Sequence, residues 1–135
     1  MPPMRMVHEV DPREVIYKKI GMTKDLIIPG FTLMGNRVLV GLYERPEKTA
    51  SGIHLPDKYR SEDLHQGKSG LVLALGHSAF KTDDHFDFGP DKLKVGDWCM
   101  LFVSHGLQCA VNGVPCRIIR DQDITMAIPA PDQVW

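Results

Sequence analysis

The sequence predicts a small all-β protein, and two observations carry that prediction. Short runs of branched and aliphatic residues recur at close spacing from position 37 onward, with little helical periodicity between them. Asn112 and Gly113 stand between two such runs, and because both central positions of a tight hairpin turn need a positive φ, this pair is a strong hairpin signal. Short strands that follow one another closely favour a small barrel over a parallel sheet.

Six segments have the character of strands, and the rest of the chain is arranged around them. The predicted strands are residues 37–43, 70–75, 98–103, 107–111, 114–119 and 123–128. A Val-Gly-Asp turn precedes the third strand, and the Asn-Gly turn joins the fourth to the fifth. The predicted organisation is therefore an N-terminal extension at 1–30 followed by one β-barrel domain at 31–135.

The extension contains one predicted helix. Asp11 can cap it, Pro12 suits its first position, Glu14 stands at its third position, and Gly21 is a natural stop. A helix of about two turns is unstable alone, so it must pack on the barrel, on a neighbouring subunit or on a partner. The sequence leaves open whether this helix covers the barrel or serves as an interaction arm.

The composition excludes several classes of function. The chain has 135 residues, of which 43% are hydrophobic and 24% are charged, as in an ordinary soluble domain. The net charge of −1 and the absence of a basic run argue against nucleic acid and membrane surfaces as partners. The apolar runs are too short to span a bilayer, and residues 1–30 lack the apolar stretch of a secretion signal. We therefore expect a cytoplasmic protein.

No motif in the sequence predicts catalysis, a metal or a cofactor. Cys99, Cys109 and Cys116 are odd in number and lack the close spacing of a zinc site, so we interpret them as reduced, buried thiols. The six histidines show no spacing typical of metal ligands. Dinucleotide-binding, nucleophile-elbow and phosphate-loop motifs are also missing. We therefore expect a protein that is not an enzyme.

The segment 44–68 is the most informative part of the chain. It is 25 residues long and holds ten charged residues, so it is too long for an ordinary connection and too polar to fold by itself. Pro56 favours an extended backbone at the residue before it. In an extended chain Ile53 and Leu55 point to one side, while His54 points to the other. Two aliphatic side chains on a polar tether predict a peptide that becomes ordered in a partner's groove.

Several motifs follow one another in a set order along the chain. An Arg-Val pair at 37–38 opens the first strand, and a Ser-Gly-Ile-His-Leu-Pro run follows at 51–56. A strand bounded by glycines lies at 70–76, and a Lys-Val-Gly-Asp turn lies at 94–97. An Arg-Asp-Gln-Asp-Ile run at 120–124 leads into the last strand. In their shared order and spacing these motifs resemble the GroES co-chaperonin family.

The resemblance implies a small GroES-like Greek-key β-barrel with a mobile loop at 44–68 and a roof-like loop at 77–91. It implies that subunits form a ring, a homoheptamer in this family, which docks on a GroEL-type chaperonin ring and caps its cavity during ATP-dependent protein folding. The implied chaperonin-binding residues are Gly52, Ile53, His54, Leu55 and Pro56. The implied subunit interface joins the first strand of one subunit to the last strand of the next, through Arg37, Val38, Leu39 and Val40 and through Ile124, Met126 and Ile128.

Two features within these loops have two interpretations each. Phe80, Phe86 and Phe88 lie in the roof-like loop, where their rings either cover the mouth of the barrel or form an aromatic surface that touches substrate. His54 stands where the family has an apolar residue. It either faces solvent or contacts the chaperonin, in which case its protonation weakens docking.

A different class of function fits the same fold. The extension and the long loops suggest a phage-borne relative that acts in the cytoplasm of a bacterial host. A virion structural protein, such as a capsid decoration protein, is therefore the alternative, with the extension gripping a neighbour and the loop reaching across a shell. The aliphatic pair at Ile53 and Leu55 favours the co-chaperonin.

Overall fold

The computed structural model describes residues 11–43, 69–81, 92–101 and 106–131. These residues form an α-helix, six strands and one turn of 3-10 helix. In chain order the elements are α1 (Pro12–Ile20), β1 (Arg37–Leu42), β2 (Ser69–Leu75), β3 (Trp98–Leu101), β4 (Leu107–Val111), β5 (Val114–Arg120), the 3-10 turn (Asp121–Asp123) and β6 (Ile124–Ile128). The predicted all-β class is confirmed, and each predicted strand is present: β4 has the predicted bounds, the bounds of the others differ by one or two residues, and residues 102–103 of the predicted third strand lie outside the described residues.

All strand pairs are antiparallel, and the sheet order is β4-β5-β1-β2-β3-β6. Strands β1, β2 and β3 are consecutive neighbours. The β4–β5 hairpin then returns to the other side of β1, while β6 lies beside β3. Such a return is typical of a Greek key rather than of a meander. It places β1 and β2 in the middle of the sheet, with a neighbour on each side.

Apolar side chains cover both faces of the sheet, because successive residues of a strand point to opposite faces. On β1, Val38 and Val40 point to one face and Leu39 points to the other. The first face carries the buried residues Val38, Val40, Leu42, Val72, Phe80, Cys99, Leu101 and Ile119. The second face carries a cluster that includes Leu39, Tyr43, Leu71, Leu73, Trp98 and Cys116, and it also receives α1.

The predicted helix start and stop are present at α1. The Asp11 side chain accepts a hydrogen bond from the Arg13 amide at 2.9 Å, which satisfies one of the free donors of the first turn. Gly21 has a φ of 79°, and its amide donates to the carbonyl of Tyr17. Glycine tolerates this left-handed conformation, so the helix ends there. Among the described residues, no helix is both long and apolar enough to cross a membrane.

The helix packs on the sheet of its own chain. Ile16 and Ile20 are buried in the second-face cluster. A Cβ atom at Gly41 would lie 2.8 Å from Leu73 Cδ1 and 3.3 Å from Ile16 Cγ2, so the glycine leaves the space that the helix fills. The Asn112 side chain donates to the Ile20 carbonyl at 2.7 Å, which joins the hairpin turn to the helix end. Of the two predicted roles, residues 12–20 therefore have the first, a cover for the sheet.

Candidate functional site

The structure describes the root of the long segment, which is the place where it leaves and rejoins the sheet. We call Tyr43, Ser69, Trp98 and Pro131 the root. The Tyr43 amide donates to the Ser69 carbonyl at 3.1 Å, one step beyond the last β1–β2 pair, Leu42 and Gly70. The two ends of segment 44–68 are therefore joined by a backbone hydrogen bond. The predicted chaperonin-binding residues 52–56 lie outside the described residues.

Side chains hold both ends of the segment at the root. The Tyr43 ring is buried and meets the Trp98 ring edge to face, with centroids 5.8 Å apart and planes at 81°. Ser69 is fully buried, and its hydroxyl donates to the Pro131 carbonyl at 3.0 Å. This bond satisfies a polar group that would otherwise be costly to bury. Residue 43 is thus fixed by packing, and residue 69 is fixed by a hydrogen bond.

Two glycines near the ends of β2, Gly70 within the strand and Gly76 directly after it, each lie where another backbone comes close. A Cβ at Gly70 would overlap Val40 Cγ1 and would lie 2.9 Å from the Gly41 carbonyl oxygen. A Cβ at Gly76 would overlap the Gly35 carbonyl oxygen. In the sequence these glycines indicate only where a strand begins and ends. The structure shows that the pairing of β2 with its surroundings depends on them.

At the opposite end of the β1–β2 pair, a buried carboxylate joins three parts of the chain. We call Asn36, Phe80, Asp121 and Gln122 the latch. Asp121 is 5% exposed and accepts hydrogen bonds from the Phe80 amide at 2.9 Å, the Gln122 amide at 2.8 Å and Asn36 Nδ2 at 3.3 Å. Its own amide donates to the Asn36 carbonyl at 3.1 Å. The residue before β1, the turn after β2 and the end of β5 therefore meet at one side chain.

Sequence reasoning did not single out Asp121. It appeared only as one letter of the Arg-Asp-Gln-Asp-Ile motif, with no role attached. The available signal was an acidic residue directly after an apolar strand. That signal says nothing of its partners, because Asn36 and Phe80 are 85 and 41 positions away in the sequence.

The Phe80 side chain belongs to the apolar core of the described chain. Its ring is buried in the first-face cluster with Val38 and Val72, and its backbone has a φ of 59°. The hydrogen bond from its amide to Asp121 holds this unusual conformation. This burial favours the interpretation in which the Phe80 ring covers the mouth of the barrel over the one in which it touches substrate, and the choice between them stays a prediction. Phe86 and Phe88 lie outside the described residues.

The predicted interface residues of β1 are used within the chain itself. Val38, Leu39 and Val40 are buried, and β1 already pairs with β2 on one side and with β5 on the other. A strand whose amides and carbonyls are paired on both sides has no edge to offer a neighbouring subunit. The β1 side of the predicted interface therefore needs correction, with only Arg37 exposed.

The β6 side of the predicted interface is placed differently. Among the described residues β6 pairs only with β3, so its other edge is open. Met126 on this strand is 48% exposed, Ile124 is half-buried and Ile128 is buried. Just before β1, Phe31 and Met34 also expose large apolar side chains. An open strand edge and an exposed apolar segment are thus both present in one subunit.

Comparison with known proteins identifies what this architecture belongs to. The antiparallel sheet with a long polar segment held at its root defines a small β-scaffold protein. The family model of the chaperonin 10 kDa subunit matches residues 31–128, and the chain belongs to that family. Helix α1 lies before the matched region. The described residues hold no group of three or more histidine, cysteine or acidic side chains that could bind a metal.

Several curated relatives carry the name co-chaperonin GroES. The chain is 35% identical over 94 residues to the protein of Dinoroseobacter shibae, a match that covers 70% of this chain and 85% of the relative. It is 36% identical over 95 residues to that of Methylobacillus flagellatus, covering 70% of this chain and 93% of the relative. It is 33% identical over 95 residues to that of Bacillus sp. strain PS3, covering 70% and 95%.

Proposed function

We propose that this co-chaperonin caps a GroEL-type chaperonin ring and that it binds through the residues from Gly52 to Pro56. The observation that carries the proposal is the root. A 25-residue polar segment leaves the sheet and returns to it at one hydrogen-bonded point, between Tyr43 and Ser69. A scaffold that fixes both ends of a segment can present its middle to a partner. The family membership and the names of the relatives support the same partner.

The energetics of the tip suit a lid that must be released. Burying the side chains of Ile53 and Leu55 in a groove stabilises the complex by roughly 3–6 kcal/mol. Ordering the segment consumes about 2–5 kcal/mol of that gain. One segment therefore binds weakly. Several segments carried on one ring bind tightly, because the first contact raises the effective concentration of the others.

We further propose that the subunits assemble into a closed ring, a homoheptamer as the resemblance implies. The open edge of β6 is one side of the interface that we propose, with Ile124, Met126 and Ile128 on that strand. The segment of the neighbouring subunit around Phe31 and Met34 takes the place that we first assigned to β1. Ring closure covers exposed apolar side chains and an open strand edge, which otherwise invite aggregation.

A binding experiment tests the proposed function. The purified protein is mixed with a GroEL-type ring and nucleotide, and the mixture is separated by size. We expect the protein to co-elute with the ring, and we expect Ile53→Ser/Leu55→Ser to abolish co-elution. Leu64→Ser is the matched control, because it also removes an aliphatic side chain from the segment but leaves the tip intact. A parent protein that never co-elutes, or a control that fails equally, contradicts the proposal.

One argument for the alternative, a virion structural protein, is weakened by the position of α1. It relied on the extension as an arm that grips a neighbour, but residues 12–20 pack on their own sheet. Virion co-purification without binding to the chaperonin ring remains the result that would favour it.

The orientation that we propose for His54 is away from the groove, since the residues on either side of it share the opposite face. Docking affinity is measured between about pH 8 and about pH 5.5 for the parent and for His54→Leu, a range that spans imidazole protonation. Parallel curves support this orientation. A loss of affinity at low pH in the parent alone assigns His54 to the contact.

A further inference from the structure

Two free cysteines face each other across the β4–β5 hairpin. Cys109 on β4 is the direct partner of Cys116 on β5 in the strand register. Both side chains belong to the second-face cluster, where Cys116 is buried and Cys109 is half-buried. The third cysteine, Cys99, lies on β3 and packs on the opposite face. The hairpin therefore brings together one pair of thiols and leaves the other thiol apart.

The position of this pair in the ladder sets the distance between the two cysteines. The turn has two residues, Asn112 and Gly113, so Val111 and Val114 form the hydrogen-bonded pair that closes it. Hydrogen-bonded and non-hydrogen-bonded pairs then alternate. Pro115, which has no amide hydrogen, accordingly falls in a non-hydrogen-bonded pair.

The next pair, Cys109 and Cys116, is therefore hydrogen-bonded, with Cα atoms about 5.5 Å apart. A disulfide requires a Cα separation of about 4.4–6.8 Å. The Cα separation in the hairpin thus lies within the range that a disulfide allows.

We propose that Cys109 and Cys116 are a redox modification site, at which a reversible disulfide forms across the hairpin in reaction with a small-molecule disulfide such as oxidised glutathione. The thiolate of the more accessible Cys109 attacks one sulfur of the oxidant, and one glutathione leaves as a thiolate. The Cys116 thiolate then attacks the Cys109 sulfur, and the second glutathione leaves. One disulfide is cleaved and one is formed, and the two protons of the cysteines pass to the two glutathione thiolates.

The surroundings of the pair indicate a slow reaction and a reducible product. Burial raises the pKa of the Cys116 thiol to about 11, and burial also raises the pKa of Cys109. The reactive thiolates are therefore scarce at neutral pH. Directly opposed Cβ atoms lie about 4.5–5.5 Å apart, whereas a disulfide brings them to about 3.8 Å. A hydrogen-bonded pair lies at the long end of that range, so the strands must move together by about 1.5 Å. The resulting strain makes the disulfide easier to reduce than an unstrained one.

The cross-link acts on a part of the fold that supports the extension. Strand β4 lies at the end of the sheet order, and the Asn112 side chain at the hairpin turn donates to the last carbonyl of α1. A bond between Cys109 and Cys116 ties this outer strand to β5, which pairs with β1 in the middle of the sheet. Oxidation should therefore make the end of the sheet that holds α1 more resistant to unfolding.

The test uses the full chain, native and reduced, incubated with oxidised glutathione at about pH 9, where more of the thiols ionise. Intact mass is measured before alkylation, and peptide mapping follows alkylation of the remaining thiols. We expect a mass lower by two hydrogens, one cross-linked peptide pair that contains Cys109 and Cys116, and complete reversal by dithiothreitol. Cys99→Ser is the matched control and should form the same cross-link. Cys116→Ser should instead accumulate glutathione on Cys109.

Three outcomes would overturn the proposal. The first is a native parent chain that remains fully reduced or stops at the mixed disulfide. The second is a cross-link that involves Cys99. The third is a cross-link between Cys109 and Cys116 that forms only in denaturant, since it would then not depend on the hairpin. Thermal unfolding of the oxidised and reduced chains adds a further measurement, with a higher midpoint expected for the oxidised chain. None of these results depends on binding to a chaperonin.

Discussion

The two ends of the β1–β2 pair are held by different chemistry. At the root, an aromatic pair and one hydroxyl fix the residues from which the long segment departs. At the latch, the carboxylate of Asp121 accepts three hydrogen bonds from three parts of the chain. A charged acceptor contributes more per hydrogen bond than a neutral one. We therefore expect the latch to contribute more to the free energy of unfolding than the root. The role that we expect of the root is to position the two ends of the long segment.

The largest effect is expected from Asp121→Ala at the latch. The change removes the three hydrogen bonds that the Asp121 carboxylate accepts, including the one from the buried Phe80 amide, so we expect the free energy of unfolding to fall by about 3 kcal/mol. Urea unfolding measures it. Asp121→Asn is the matched control, because the asparagine side chain retains one oxygen that can still accept a hydrogen bond. A loss below about 1 kcal/mol for the alanine variant would show that the latch is not the stronger end.

An effect no larger than that of Asp121→Ala is expected when a methyl group is added to each of the two glycines near the ends of β2. At Gly76 the new atom meets backbone carbonyls, which cannot turn away, so a loss of about 3 kcal/mol is expected. At Gly70 the overlap is with a Val40 methyl group as well as with backbone, so we expect about 2 kcal/mol. Thermal unfolding of both alanine variants compares the two ends directly. Equal losses of stability in the two variants would show that the root and the latch tolerate an added methyl group equally.

Ser69→Ala at the root should have a modest effect on stability. It leaves the Pro131 carbonyl without its donor, at a cost of about 1 kcal/mol. Because residue 69 is one end of the long segment, we also expect weaker docking on a chaperonin ring, measured by titration. Ser78→Ala, which truncates a half-buried serine near the latch, is the control for docking. Unchanged docking in Ser69→Ala would show that the root does not place the segment.

The remaining effect is absent at neutral pH and appears only in alkali, and it also lies at the root end. Burial raises the pKa of Cys99 from its model-compound value of 9.0 to about 12, and the thiol faces the Gly70 carbonyl at 3.6 Å. Between these two values the unfolded chain loses the proton and the folded chain keeps it, so stability falls as pH rises from about 9. Denaturation at several pH values measures the slope. The slope should be shallower in Cys99→Ala, while Cys116 contributes in the same direction in both proteins.

The local elements could be predicted from the sequence because their signals are local. The Asp11 cap, the Gly21 stop and the Asn112-Gly113 turn each depend on residues a few positions apart, and all three are present. The interior position of β1 was missed, although five of its six residues in a row are buried. Such a continuous apolar run indicates a strand covered on both faces, which argues against its use as an open edge.

The parts that could not be predicted depend on distant partners or on unusual backbone. The role of Asp121 needs Asn36 and Phe80, which only the sheet order brings together. The burial of Phe80 follows from a positive φ, and a phenylalanine gives no hint of that conformation. The binding residues from Gly52 to Pro56 lie outside the described residues, so their role stays a prediction.

The hydrogen bond between Tyr43 and Ser69 also limits how far the protein can reach. A chain advances by at most about 3.6 Å per residue, and Ile53 is ten positions after Tyr43, so the tip cannot lie more than about 36 Å from that point. The way back from Leu55 to Ser69 is longer and sets no tighter limit. Any groove that receives the tip must therefore open within about 36 Å of Tyr43. The hydrogen bond between Tyr43 and Ser69 thus sets the maximum distance at which the tip can bind a partner.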